Sequence, residues 1–321
     1  MGPGTLAEQL SSVLEASLGG GVSVDELVRL SGGASRETWS FVARRPGAGP
    51  RRLVLRRDPP GAPVSGLQLE AALLQAAARS GVPVPPIVSA GGPDAGLDTG
   101  FVVMDFVEGE TIPRRILREP RYARARALLA EQCGRVLAAV HRIPPREVPG
   151  LAGGDQLEGL RTMLDHLGQP HPAFELGFRW LGETRPARTG ETVVHGDFRN
   201  GNLIVGPEGV RSVLDWELAH LGDPLEDLGW LCVKAWRFGH LLPVGGFGSV
   251  EQLIGAYEEA GGNQVDPDAL RWWTVLGTLR WGIICIVQAA THLSGAVRSV
   301  ELAAIGRRVC EVEWDLLELL P

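Results

Sequence analysis

The spacing of hydrophobic residues divides the chain into a strand-rich first third and a mainly helical remainder. After an opening amphipathic segment, two extended runs between Val28 and Arg45 flank a Gly/Ser turn. On the second run Trp39, Phe41 and Ala43 alternate with other residues. Because a period of two is typical of a strand with one buried face, this pattern predicts a β-hairpin.

The next segments continue the first third as β, α and β. A short strand is predicted over 52–56, and a helix over 66–79 that Gly81 ends. After a proline-rich break, the run 101–107 predicts a buried strand that leads into Glu108-Gly109. We expect a boundary there, with one lobe over 1–107 and a second over 108–321.

The second part has the periodicity of helices with one interruption. Apolar residues between Tyr122 and Ile143 form the stripe of a long helix, and the pattern is helical again from Val250, with a cap at Asp266-Pro267. Between them, 192–217 predicts strand, loop, strand, tight turn and strand. The sequence therefore predicts an α+β protein with a small β-rich lobe and a larger helical lobe.

Three oxygen-bearing side chains belong to this strand-rich interruption. If the turn at 206–209 closes a hairpin, it pairs Val205 with Val210 and brings Asp215 near the loop that holds Asp197 and Asn202, since a residue spans only ~3.3 Å of strand. Two carboxylates and a carboxamide suit Mg²⁺, which takes its remaining ligands from water and substrate phosphates. The residues thus predict a magnesium-nucleotide site.

Composition narrows the function classes. The chain has 321 residues, of which 44% are hydrophobic and 21% charged, which excludes general disorder. Its 31 basic and 38 acidic residues give a net charge of -7, which argues against nucleic acid or an anionic membrane as the main partner. Lys234 is the only lysine, so nearly every cation is an arginine.

Cysteine spacing and hydropathy bear on location. The four cysteines lie far apart in the sequence, which indicates reduced thiols rather than a disulfide framework or a zinc site. The first residues lack the pattern of a secretory signal. Arg280 and Gln288 interrupt the apolar stretch 272–290, which therefore predicts a buried helix and no membrane span. We expect a cytoplasmic protein.

The order His195-Gly196-Asp197-x-x-x-x-Asn202 followed by Asp215 resembles the aminoglycoside phosphotransferase and choline kinase family, whose fold is bilobal and protein-kinase-like. The resemblance implies a kinase that uses ATP and Mg²⁺. It implies that Asp197 accepts the proton of the attacking hydroxyl, that Asn202 holds a metal ion, and that Asp215 bridges metal and nucleotide phosphates. His195 would orient the loop.

The segment LDWELAHLGDPLEDLGW also matches the family. Asp227 is expected to anchor the catalytic loop. Glu217 and Asp223 are open between contact with the substrate and a structural role.

By the same resemblance, the first lobe would bind the nucleotide. Gly33 and Ser35 belong to the predicted phosphate-covering turn, and Arg56 would be the cation on the phosphates, with Arg57 as the alternative. The wider fold usually has lysine at this position. Glu70 is predicted to pair with that cation, because it lies on the apolar stripe of its helix.

The hinge that would hold adenine is assigned to the end of the buried strand. Its residues are Met104, Asp105 and Val107.

The acceptor stays open at this point. The amino-acid sequence of 214–230 resembles the branch of the family associated with acyl-CoA dehydrogenases, which implies a hydroxyacyl-CoA as the acceptor. An aminoglycoside or other amino alcohol is the alternative, with Glu217, Asp223 and Glu226 as partners for amines. Two other classes are a nucleotide-binding module without transfer and a metallohydrolase. The oligomeric state is not predicted.

Overall fold

The computed structural model describes residues 5–30, 36–59 and 66–321. The Gly/Ser turn of the predicted hairpin, with Gly33 and Ser35, lies outside the described residues. The strands are β1 (Ser23–Arg29), β2 (Glu37–Arg44), β3 (Arg51–Arg57), β4 (Ile87–Gly91), β5 (Phe101–Asp105), β6 (Thr192–Val194), β7 (Leu203–Gly206), β8 (Gly209–Val213) and β9 (His220–Gly222). The α-helices are α1 (Leu6–Leu18), α2 (Leu67–Arg79), α3 (Pro113–Arg118), α4 (Ala123–His141), α5 (Gln156–Leu167), α6 (Pro172–Glu183), α7 (Leu225–Cys232), α8 (Val250–Glu259), α9 (Pro267–Leu293), α10 (Val300–Gly306) and α11 (Val309–Leu319).

The chain folds into two compact units. The first comprises Met1–Gly109, Ile143–Leu151 and Arg211–Glu217, and the second comprises Glu110–Arg142, Ala152–Val210 and Leu218–Pro321. The lobe limits predicted from the sequence, 1–107 and 108–321, stay a prediction.

A five-stranded antiparallel sheet forms the centre of the first unit, in the order β1-β2-β3-β5-β4. The predicted alternation on β2 is present, since Phe41 and Ala43 are buried and Trp39 packs against the same core. Leu10 and Leu14 of α1 complete this core. The register places Arg56 opposite Val102, so the polar end of β3 lies beside an apolar strand.

Helices dominate the second unit. Buried residues of α5, α6, α9 and α11 form its main core, which includes Phe174, Trp272 and Leu316. Asp266 caps α9 as the sequence predicts, because its side chain accepts the N–H of Asp268. Strands β6 and β9 pair with each other, and β7 pairs with β8 through the turn that the sequence predicts.

Helix α9 contains the longest apolar segment. By length and composition Pro267–Leu293 could cross a membrane, and it is the one helix of the described residues that could. Its most apolar stretch is 56% buried inside the protein, and the core helices of soluble proteins can have the same length and composition. This agrees with the buried helix that the sequence predicts.

The sequence pattern does not predict two of the observed strands. β4 follows the proline-rich break, and β9 has three residues, of which only Gly222 is buried, so neither has a long apolar run. β5 ends at Asp105, so Val107 lies beyond the strand that was predicted to include it.

Helices α4 and α8 approach closely at Gly134, which generates a test of the packing. A Cβ on Gly134 would lie 2.4 Å from the Leu253 carbonyl oxygen and 2.9 Å from the Tyr257 nitrogen. Both are backbone atoms, so Gly134→Ala should lower the free energy of unfolding by about 1–3 kcal/mol in urea titrations. The control is Gly255→Ala on α8, where a Cβ meets nothing within 4 Å. It should be neutral or stabilise by up to about 1 kcal/mol. Equal effects of the two substitutions would contradict the packing argument.

Candidate active site

A buried carboxylate holds the His195-Gly196-Asp197 loop. Asp227, which has no solvent exposure, accepts the backbone N–H of His195 at 2.7 Å and that of Gly196 at 2.9 Å. His141 Nε2 donates to the same carboxylate at 3.2 Å, and Tyr257 lies 2.9 Å from the other ring nitrogen of His141. Asp227 is therefore the anchor of the loop, since its charge is met entirely by internal donors.

These contacts set the ionisation of Asp227. Burial alone would raise its pKa, but the hydrogen bond and charge of His141, with the N–H of His195, bring the pKa below its ordinary value. The carboxylate is thus the stable form in the folded protein.

Gly196 lets the chain turn at the loop. Its φ is +77°, in the left-handed region, and an added Cβ would lie 2.3 Å from the Leu218 carbonyl oxygen. The neighbouring His195 is fully buried, and its Nδ1 accepts the N–H of Asp197 at 3.1 Å. A neutral His195 ring therefore carries its proton on Nε2, and the ring fixes the start of the Asp197 segment.

Asp197 lies in a dense set of donors. Its Oδ1 accepts from Trp230 Nε1 at 2.8 Å and from Arg199 Nε at 3.0 Å. Its Oδ2 accepts from Asn202 Nδ2 at 2.6 Å and from Arg199 Nε at 3.2 Å. The structure thus brings Asp197 and Asn202 together.

The oxygen donors of Asn202 and Asp215 fit a magnesium ion by type. Asn202 uses its amide nitrogen on Asp197, so its amide oxygen is the atom suited to a hard cation. Within the described residues, no group of three or more His, Cys, Asp and Glu side chains could hold a metal ion. Mg²⁺ delivered with a nucleotide needs fewer protein ligands, because phosphates and water supply the rest. Whether Asp215 joins Asn202 stays a prediction.

In the first unit, two guanidinium groups meet one buried carboxylate. Glu70 on α2 is 3% exposed, and both Arg56 on β3 and Arg36, which directly precedes β2, donate to it. Arg57 instead pairs with Glu37 at 2.8 Å. Glu70 therefore pairs with Arg56, the first of the two arginines that the sequence left open.

Asp215 joins the same cluster. Its Oδ1 lies 3.5 Å from Arg56 Nη2, and its backbone is left-handed with φ +65°. Aspartate tolerates this region better than most residues, although the conformation is strained. Glu217, two residues on, lies 3.9 Å from Arg36. Burial and the charge of Asp215 raise the pKa of Glu217.

The predicted hinge lies at the end of β5. Met104 is buried, and Asp105 accepts two hydrogen bonds from Arg51, at 2.7 and 2.8 Å. The Asp105 N–H already donates to Pro86 at 2.9 Å. An adenine contact at Asp105 would therefore not use this N–H. Among the described residues, no contact assigns a role to Val107.

Two acidic residues considered as partners for amines are engaged inside the protein. Asp223 accepts from the Thr189 N–H and hydroxyl, each at 2.8 Å, and from the Leu225 N–H at 3.0 Å. Glu226 lies between His220 Nε2 at 3.1 Å and Arg280 Nη1 at 3.2 Å. Although burial alone would lower it, the hydrogen bond and charge of Glu226 raise the pKa of His220.

Sequence reasoning placed Arg36 in the predicted phosphate-covering turn but missed its pairing with Glu70. It also missed Arg199 and Trp230. Arg199 follows Asp197 by two positions, so a search for cations near the predicted site could have found it. Trp230 is 33 residues from Asp197 in sequence, and only the fold brings its N–H to that carboxylate.

The lowered pKa of Asp227 generates a prediction about stability. Asp227→Asn should lower the free energy of unfolding by about 1–3 kcal/mol at pH 7, because two backbone N–H groups lose an anionic acceptor. A depressed pKa gives stability that is present above the ordinary value of 3.8 and lost as pH falls through the folded-state pKa. In urea titrations from pH 7 to pH 3, the difference in the free energy of unfolding between wild type and variant should therefore become smaller below about pH 4.

Asp94→Asn, which changes an exposed aspartate, is the control for this series. It should leave the free energy of unfolding unchanged within about 0.5 kcal/mol. If the difference in the free energy of unfolding between wild type and Asp227→Asn stayed constant across the whole pH range, Asp227 would not be a carboxylate with a lowered pKa.

Curated relatives match part of this chain. Acyl-CoA dehydrogenase family member 10 of Mus musculus is 30% identical over 196 residues, which are 57% of this chain and 18% of the relative. Acyl-CoA dehydrogenase family member 11 of Homo sapiens is 28% identical over 227 residues, which are 64% of this chain and 29% of the relative. The chain therefore spans less than a third of the length of either relative.

Solved structures match nearly the whole chain. A Ralstonia eutropha JMP134 protein, assigned by name to the aminoglycoside phosphotransferases, has a TM-score of 0.77 at 23% identity and covers 97% of both chains. A choline/ethanolamine kinase family protein of Mesorhizobium loti has a TM-score of 0.63 at 21% identity, over 96% of this chain and 94% of that one. Spectinomycin phosphotransferase with ADP and spectinomycin has a TM-score of 0.66 at 14% identity, over 98% and 99%.

These likenesses confirm the predicted α+β, kinase-like fold. The model of the phosphotransferase enzyme family, APH, matches residues 26–273, well over half of the chain. The chain therefore belongs to the APH phosphotransferase enzyme family.

Proposed function

We propose that this protein transfers the γ-phosphate of ATP to a hydroxyl group of a small molecule, with Asp197 as the base. The observation that carries the proposal is the geometry of Asp197, whose carboxylate is bonded to Asn202 in a loop that Asp227 anchors. Membership of the phosphotransferase family supports the reaction class.

Asp197 would act on the acceptor hydroxyl. The hydroxyl oxygen forms a bond to the γ-phosphorus, the bond from that phosphorus to the β,γ-bridging oxygen breaks, and ADP leaves. Asp197 takes the hydroxyl proton. Because phosphoryl transfer is mainly a matter of positioning and charge stabilisation, the anchored loop is the main contribution of this segment. His195 would position it without touching the substrate.

Asn202 and Asp215 would hold Mg²⁺ through their side-chain oxygens. When bound, the ion would offset the negative charge of the nucleotide phosphates. The 3.5 Å contact of Asp215 with Arg56 keeps its carboxylate paired with a cation in the first unit.

Arg56 would contact the nucleotide phosphates, with Glu70 as its positioning partner. Arginine suits this task because its planar group can bind phosphate through two N–H groups. Gly33 and Ser35 remain the proposed phosphate-covering residues, and Met104, Asp105 and Val107 the proposed adenine hinge.

A hydroxyacyl-CoA is the acceptor we favour. The curated relatives are named as acyl-CoA dehydrogenase family members. An aminoglycoside or amino alcohol is the alternative, because a solved neighbour binds spectinomycin. The internal bonds of Asp223 and Glu226 weigh against it, since these carboxylates already have partners.

Two aspartate variants test the proposed function. Asp197→Ala should lower ATP-dependent transfer by about 10²–10⁴-fold while the affinity for Mg-ATP stays within a few-fold of wild type, because a base acts on the acceptor. Asp215→Ala should weaken Mg-ATP binding itself. Transfer is measured as ADP release with a panel of hydroxyacyl-CoA thioesters, aminoglycosides, choline and sugars, and binding by calorimetry.

Near-native turnover of Asp197→Ala would overturn the assignment of the base. Tight binding of Mg-ATP without turnover on any acceptor would favour a nucleotide-binding module. Loss of Mg-ATP binding in the wild type would refute the kinase proposal.

The paired arginines on β3 give a second test with a built-in control. Arg56→Ala should reduce transfer at least tenfold, because it removes the proposed phosphate contact. Arg56→Lys should recover part of it, since a lysine keeps the charge without the planar fork. Arg57→Ala should leave transfer within about twofold, because Arg57 pairs with Glu37. A larger loss for Arg57→Ala than for Arg56→Ala would transfer the proposed role to Arg57.

A further inference from the structure

We infer that Arg199 selects the acceptor, by covering the proposed base until an oxygen of the acceptor draws its guanidinium away. The acceptor would carry a carbonyl or anionic oxygen near the hydroxyl that reacts, and no ammonium group there. This inference rests on the proposed function, because it takes Asp197 as the base.

Asp197 has no vacant acceptor position for a hydroxyl. A carboxylate offers about four lone-pair sites. On Asp197, Trp230 takes one on Oδ1, Asn202 takes one on Oδ2, and the Nε–H of Arg199 is shared between the two oxygens at 3.0 and 3.2 Å. A hydroxyl can donate to this carboxylate only when one of the three donors leaves.

Arg199 is the donor that can leave at least cost. Trp230 is 2% exposed, and its ring packs 5.1 Å from that of Trp236. Asn202 is tied to the loop, because its amide also donates to the Asp197 carbonyl oxygen at 3.0 Å. The Arg199 side chain is 25% exposed and has several rotatable bonds, so it can move without disturbing a core.

A displaced Arg199 needs a new partner for its charge. Its guanidinium lies over the ring of Trp236, 4.7 Å from the centroid, and this contact could hold it beside the acceptor. A carbonyl, carboxylate or phosphate oxygen could accept its N–H groups. An ammonium in the same place would repel it and would favour the closed pair with Asp197.

The surrounding side chains favour the same class of ligand. A second guanidinium, that of Arg280, lies over the Trp230 ring at 4.7 Å and is paired with Glu226. The Trp281 ring packs 4.8 Å from that of Trp236, and both ring nitrogens are buried without a hydrogen-bond partner in the described part of the chain. Each carries an N–H and no lone pair to offer, so oxygen atoms could satisfy them and ammonium groups could not.

The test compares acceptors that share one secondary hydroxyl and differ in the group beside it. They are 3-hydroxybutyryl-CoA with a thioester carbonyl, 3-hydroxybutyrate with a carboxylate, and 4-aminobutan-2-ol with an ammonium. Binding to protein saturated with Mg-AMP-PNP is measured by calorimetry, and KM and kcat are measured with ATP. The proteins are wild type, Arg199→Gln, Arg199→Lys and, as the control, Arg179→Gln, which changes an exposed arginine of α6.

In the wild type, we expect both oxygen-bearing compounds to bind at least tenfold more tightly than the amine. Arg199→Gln should reduce this preference about tenfold or more, through weaker binding and higher KM of the oxygen-bearing compounds, because a charged hydrogen bond is lost. Arg199→Lys should recover part of the preference. Arg179→Gln should match the wild type, and the affinity for Mg-AMP-PNP should be the same in all four proteins.

Three outcomes would overturn the inference and leave the kinase proposal standing. They are a preference unchanged by Arg199→Gln, tightest binding of the amine by the wild type, and no binding of either oxygen-bearing compound to protein that binds Mg-AMP-PNP. Failure of the wild type to bind Mg-AMP-PNP would refute the proposed function, and the inference with it.

Discussion

The arrangement of the candidate catalytic loop depends on the buried charge of Asp227. An ionised carboxylate without solvent contact is costly unless donors surround it, and here two consecutive backbone N–H groups and a histidine do so. Because those N–H groups belong to His195 and Gly196, satisfying the charge also fixes the backbone one residue before Asp197. The left-handed turn at Gly196 follows from the same constraint, since a Cβ there would collide with the Leu218 carbonyl oxygen. A stability requirement in α7 thus positions the proposed base.

The first unit meets a similar requirement at Glu70. There the carboxylate lies on the buried face of α2, and two guanidinium groups, one from β3 and one from the residue that precedes β2, neutralise it. Breaking such a pair on one side leaves an uncompensated buried charge, which couples the position of α2 to that of the sheet. In each unit, therefore, one buried acid organises the residues that we propose for catalysis or nucleotide binding.

The sequence predicts Glu70 and the candidate catalytic residues for different reasons and with different completeness. Glu70 stands out because a carboxylate interrupts an apolar stripe, and helical periodicity is enough to show that it needs a partner. Asp197, Asn202 and Asp215 stand out because the sequence predicts a short hairpin that would bring these three residues together. Periodicity gives no information on Trp230, whose N–H reaches Asp197 through the packing of α7. It also fails for β9, which is too short for alternation to be seen.

The near absence of lysine has a local consequence at β3. Arg56 extends one nitrogen to Glu70 and the other toward Asp215 at 3.5 Å, so a single planar group spans two carboxylates. A lysine would place all its donors on one atom, and it could not reproduce this spacing with the same backbone. Arg56 contacts only Oε1 of Glu70, so Oε2 is left for Arg36, which donates to it. Arg56 is therefore shared between Glu70 and Asp215, and Arg36 supplies the second positive charge that compensates Glu70.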